Sequence, residues 1–135
     1  MEASTETRNV GRIEEIQGVV IEAVFPEKLP EINYAITVAR EGDDGGVLVC
    51  EVLQHLGDDR VRAVAMDSTD GLDRGAEVRD TGGPISVPVG DATLGRIFNL
   101  LGQTIDQGKA LEPDGERWPI HRRAPSVEDL SLIHI

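Results

Sequence analysis

The stretch Gly90-Asp91-Ala92-Thr93-Leu94-Gly95-Arg96-Ile97 comes nearest to known chemistry, because it approximates the phosphate loop G-x-x-x-x-G-K-[ST]. In that loop backbone N–H groups cradle phosphate, a Lys reaches the outer phosphates and a hydroxyl binds magnesium. Arg96 stands where the Lys belongs and Ile97 where the hydroxyl belongs. Ile97 also falls on an apolar helical stripe, so the segment is expected to turn into a helix and not to hold phosphate. His55, His121 and His134 lie far apart, with no Cys, Asp or His at a metal-ligand offset. Asp43-Asp44-Gly45 and Asp67-Ser68-Thr69-Asp70-Gly71 lack the full calcium-loop spacing and are expected to be turns. No Ser, Cys or Lys has the setting of a nucleophile. The sequence therefore offers no catalytic, cofactor-binding or metal-binding residue and argues for a binding or structural module.

What positions these residues is a series of short strands. The 135 residues carry 13 Lys and Arg against 25 Asp and Glu, a net charge of −12 that repels phosphate backbones and anionic lipid. Nucleic acid is thus an unfavourable partner, the more so with only Trp118, Tyr34, Phe25 and Phe98 as aromatics. Cys50 sits in the apolar run Val47-Leu48-Val49-Cys50, which makes it a small core residue and fits a reducing compartment. Residues 1–9 are polar and no segment approaches the ~20 apolar residues that span a bilayer, so a soluble chain with no direct membrane insertion is expected.

Strand signals recur about every ten residues, the spacing of an all-β sandwich or barrel with about six strands. Val10 to Ile16 has an irregular pattern that Gly11 and the Gln17-Gly18 turn resolve in favour of a bulged strand. Val19, Ile21, Ala23 and Phe25 alternate up to Pro26, and Tyr34, Ile36 and Val38 alternate within 33–40. Val47 to Leu53 is apolar on both faces except at Glu51, as in a strand covered on both sides or lying at a subunit contact. After Gly57-Asp58-Asp59, a hairpin partner places Val61, Ala63 and Ala65 opposite Arg60 and Arg62. A last strand is expected near Glu77 to Thr81, with a break at Gly82-Gly83-Pro84. Beyond it, Ile85, Val87 and Val89 alternate, Gly90-Asp91 offers an N-cap, and Leu94, Ile97, Phe98 and Leu101 share one face of a helix ended by Gly102. The remainder to Ile135 is mostly charged loop, with one strand-like fragment around Ile120.

Taken in order, the strings are Gly11-Arg12-Ile13, Glu51-Val52-Leu53-Gln54-His55-Leu56-Gly57, Ala65-Met66-Asp67-Ser68-Thr69-Asp70-Gly71-Leu72 and Asp80-Thr81-Gly82-Gly83-Pro84-Ile85. They continue through Val87-Pro88-Val89-Gly90, Thr93-Leu94-Gly95-Arg96-Ile97-Phe98-Asn99 and Pro119-Ile120-His121. From about Asn9 to Ser131 the chain resembles the β-type catalytic subunits of rotary (F-type) ATP synthases. The resemblance implies a mainly β fold: a six-stranded closed β-barrel over residues 9–82, then the first strand and helix of an incomplete α/β nucleotide-binding domain over 83–131. Residues 1–8 would be a flexible leader and 132–135 an unmatched tail.

The resemblance further implies a parent enzyme, a proton-transporting ATP synthase working on Mg-ATP and ADP at the cytoplasmic face of a bacterial membrane as a peripheral complex. Its partners would be α-type subunits of the alternating hexameric ring and the central shaft. The barrel would hold that ring, and the phosphate loop, catalytic carboxylate and adenine pocket would lie further downstream. Two other readings remain open here: a free-standing barrel that binds proteins or oligonucleotides, and a secretion-type ATPase paralogue. Because position 96 lacks the Lys and position 97 the hydroxyl, calorimetric titration of the 135-residue chain with magnesium-ATP should give no saturable heat. A stoichiometric micromolar isotherm would reveal a nucleotide site that the sequence does not spell out.

Overall fold

The computed structural model describes residues 9–40, 46–111, 115–128 and 130. The expected leader 1–8, the Asp43-Asp44-Gly45 turn, and the tail with His134 lie outside the described residues. Six antiparallel strands, β1 (Val10–Gln17), β2 (Val20–Val24), β3 (Tyr34–Ala39), β4 (Val47–Gly57), β5 (Arg60–Ala65) and β6 (Glu77–Pro84), close into a barrel. Their order around the barrel is β1-β2-β5-β4-β3-β6, and β6 returns to pair with β1. Of the sandwich and the barrel that the strand spacing left open, the chain forms the barrel.

Alternation decides which side chains point inward. Ile13, Ile21, Ala23, Phe25, Ile36, Val38, Leu48, Cys50, Val52, Val61, Ala63, Ala65 and Val78 form one buried cluster. Burial of Cys50 among these side chains pushes its thiol up to about 12, because a thiolate there would lose its hydration. The β1–β2 register shifts between Ile13 and Glu15, the bulge that the irregular β1 pattern led one to expect. Asp58 and Asp59 both take positive φ, 52° and 63°, which is the conformation that lets a tight β4–β5 turn follow the strand twist. β6 runs past its expected end at Thr81, pairing Pro84 with Tyr34 while the Thr81 hydroxyl donates to the Ala35 carbonyl at 2.7 Å.

The expected helix over 92–101 does not form. A single 3₁₀ turn, Asp91–Thr93, takes its place, and Leu94 is already extended at φ −66°, ψ 133°. Three competing interactions explain the difference. Gly95 adopts φ 73°, outside the helical region. The Asp106 carboxylate captures the Ile97 N–H at 3.2 Å, and the Asn99 side-chain oxygen captures the N–H groups of Leu101 (3.0 Å) and Gln103 (2.9 Å). Side-chain acceptors of this kind offer the backbone an alternative to the helix. The apolar stripe meanwhile is only partly covered, since Leu94 and Ile97 are 74% and 59% exposed while Phe98 and Leu101 are half-buried, and a short helix without full packing is marginal in water. The segment after β6 instead contains β7 (Ser86–Pro88) paired with β8 (Arg117–Pro119), the strand-like fragment foreseen next to Ile120.

Gly11 is where β1 crosses closest to its neighbours. A Cβ there would overlap the Val24 carbonyl oxygen and come within 2.8 Å of the Phe25 ring. Gly11→Ala is expected to lower stability by about 1–3 kcal/mol through overpacking, whereas Gly83→Ala, which meets nothing within 4 Å, should stay within about 0.5 kcal/mol of the parent. Urea midpoints of the two variants measure this, and equal shifts would contradict the close approach.

Candidate functional site

The phosphate-loop imitation is built as a compact turn assembly. Gly90 (φ 97°) precedes the 3₁₀ turn, and the Thr93 hydroxyl donates back to the Gly90 carbonyl at 2.7 Å, so it is turned onto the backbone. Arg96 lies folded against Asp106: Nε donates to Oδ2 at 2.7 Å and Nη2 to Oδ1 at 3.2 Å, with both side chains largely covered. Donation from Arg96, then from the Gly108 and Ile97 backbone N–H groups, holds the Asp106 carboxyl well below the usual carboxylate range. The cation in the Lys position is thereby committed to an internal partner. A shallow cleft of about 200 Å³ opens beside it, lined by Val89, Ala92, Arg96, Lys109, Glu116 and Arg117. Its cations are interleaved with a carboxylate and apolar surface.

The remaining candidates are separated and individually satisfied. His55 Nε2 lies 2.7 Å from the Pro30 carbonyl oxygen and must carry the proton to donate there, which ties the 26–33 loop to β4. His121 Nε2 lies 3.0 Å from Glu51 Oε1. Among the described residues, no group of three or more His, Cys, Asp or Glu could hold a metal ion. The Asp67–Gly71 string is a turn, as its spacing suggested. Asp67 Oδ1 accepts from the Ser68 N–H (2.7 Å), the Ser68 hydroxyl oxygen accepts from the Asp70 N–H (3.1 Å), and the Thr69 hydroxyl donates to the Gly18 carbonyl (2.6 Å), fastening the turn to the β1–β2 hairpin. Among the described residues no helix is long and apolar enough to cross a membrane.

The two-sided apolar strand does present an outer face. On β4, Leu48, Cys50 and Val52 point inward, while Val47 and Leu53 stand outward at 54% and 47% exposure. Glu51 shares that outer face yet is 8% exposed, because His121 covers it from the segment beyond β8. This pair joins residues 70 positions apart. No sequence motif linked them, and the available hint was a lone acid in an otherwise apolar run. The Arg96–Asp106 pair was hidden in the same way, although the Asp-Gln-Gly and Asn-Leu-Leu-Gly strings are turn formers.

The fold is a closed six-stranded antiparallel barrel with apolar residues on its outer face. The beta-barrel domain of the ATP synthase alpha/beta family matches residues 13–82, 70 of the 135, and the chain belongs to that family. The match coincides with the barrel that the backbone closes, and it places the chain among subunits of ATP synthase and ATPase type.

The depressed Asp106 acidity sets a pH dependence. A carboxyl whose folded value lies below its unfolded one contributes stability that is full above the unfolded value and is lost as pH falls through the folded one. Loosening of the 96–108 turn should therefore begin below about pH 4, the ordinary carboxylate range, and continue on further acidification. Amide exchange at Ile97 and Gly108, followed from pH 5 downward, should accelerate beyond its intrinsic pH trend, and Asp106→Asn should show faster exchange already at pH 5. A turn in Asp106→Asn as protected as in the parent would contradict the assignment.

Proposed function

We propose that this chain supplies the barrel of a β-type subunit of an F-type rotary ATP synthase, joining α-type neighbours in an alternating ring, and that it performs no catalysis itself. The observation that carries the reading is the coincidence of the family's barrel domain with the closed barrel at residues 13–82. The β-type assignment is supported by the Ala65-Met66-Asp67-Ser68-Thr69-Asp70-Gly71-Leu72 and Thr93-Leu94-Gly95-Arg96-Ile97-Phe98-Asn99 strings. Outward Val19, Val47 and Leu53, each about half exposed, suit a barrel that meets neighbours through its walls and ends. In this reading Mg-ATP and ADP bind to the parent subunit outside these 135 residues. The parent works at the cytoplasmic face of the membrane, with proton movement driving synthesis.

The chain should sediment alone as monomer or ragged aggregate, and should enter a discrete hetero-complex when mixed with an α-type subunit. A closed homohexamer formed by the chain alone would overturn the requirement for α-type partners. Failure to associate with α-type subunits, together with association with a secretion-type ATPase subunit, would move the chain to that paralogue.

A further inference from the structure

The barrel closes without any help from the segment that follows it. Its hydrogen-bonded ring is complete between Val10 and Pro84, and Val78 is the last residue of its buried cluster. Residues 117–121 pair with β7, reach the outer wall at His121 and bury little of themselves. All three residues of β8 are exposed, and Ile120 and His121 remain nearly half exposed. Their attachments are few: the three-residue pairing with β7, the Arg117 guanidinium donating to the Ser86 hydroxyl (3.2 Å) and carbonyl (2.8 Å), the Ile120 N–H donating to the Ile85 carbonyl at 2.9 Å, and His121 on Glu51 at 3.0 Å.

Glu51 depends on this segment far more than the segment depends on the barrel. Its cross-strand neighbours are Ala35 on β3 and Val64 on β5, neither of which can bond a carboxylate through its side chain. The nearby cation Arg62 is engaged with Glu22 (3.7 Å) and the Gln54 side chain (3.4 Å), and Arg122 stacks 3.8 Å from the Trp118 ring centre. Among the described residues His121 is the one side-chain partner of Glu51, and it caps a carboxylate that would otherwise stand on an apolar wall.

We propose that residues 117–121 form a releasable strap, latched to the barrel wall by the His121–Glu51 contact, and that the strap opens while the barrel stays closed. Elements with few buried contacts open locally, at free energies well below that of global unfolding. Release uncovers the Glu51 carboxylate between Ala35 and Val64. The inference concerns this chain's own fold and stands whether or not the ring partnership holds.

Trp118, the single tryptophan of the chain, sits in the strap and reports its position. In the 135-residue chain, His121→Ala should accelerate exchange of the Ile120 amide roughly 10- to 100-fold, the loss expected for one charge-assisted hydrogen bond. Ile21 and Val61 in the barrel should exchange at the parent rate, and Trp118 emission should shift to the red. His121→Gln, whose amide N–H can still donate to Glu51, should restore both readouts to within a few fold of the parent. Three results would overturn the proposal: an unchanged Ile120 rate in His121→Ala, acceleration that spreads equally to Ile21 and Val61, or failure of His121→Ala to fold.

Discussion

Closure of the barrel rests on a short seam. β1 meets β6 through three residue pairs, Val10 with Arg79, Gly11 with Val78 and Arg12 with Glu77. Without that seam both strands would present rows of unpaired N–H and C=O groups. Gly11 sits in the middle of the seam, where the carbonyl of Val24 and the ring of Phe25 leave no room for a Cβ. The absence of a side chain at one position thus permits a completely buried phenyl ring at the barrel end. From closure follows the apolar interior, and from the interior follows the inert thiol of Cys50.

The acidic surface is organised, not uniformly repulsive. Arg60 meets Glu14 at 2.6 Å, Arg62 lies near Glu22, and Arg40 lies 3.5 Å from Asp67. Such exposed pairs add little individually, but they distribute cations along the strands so that the excess negative charge is not concentrated beside them. Two further pairs involve the segment beyond the barrel. Arg96 with Asp106 fixes the turn assembly, and His121 with Glu51 fastens the distal segment to the wall.

Much of this architecture was legible because period-two alternation is a local signal. Ile21, Ala23 and Phe25, like Val61, Ala63 and Ala65, point inward as their spacing foretold, and the Asp58-Asp59 turn lay where a hairpin needed it. What stayed hidden depends on partners distant in sequence. The strand order, the reason for glycine at position 11 and the cover over Glu51 require knowing what lies across the fold. The helix failed for a local reason: the Leu94, Ile97, Phe98 and Leu101 stripe satisfied the periodicity, while Gly95, Asn99 and Asp106 supplied stronger alternatives for the backbone. As for a functional site, no arrangement of nucleophile, metal ligands or phosphate cradle was legible, and the candidates weighed individually are engaged in turns, loop ties and covered pairs.

The seam also has a consequence in time. Its two strands stand at opposite ends of the barrel sequence, Val10–Gln17 and Glu77–Pro84, so the first strand made waits for the last. At ~5–20 residues per second of synthesis, roughly 3–13 s separate emergence of β1 from emergence of β6. During that interval β1, β2, β5, β4 and β3 can form an open sheet, with β1 and β3 as bare edges. A nascent chain paused before residue 77 is therefore a sheet in search of a strand, and the arrival of β6 turns an association-prone intermediate into a closed surface.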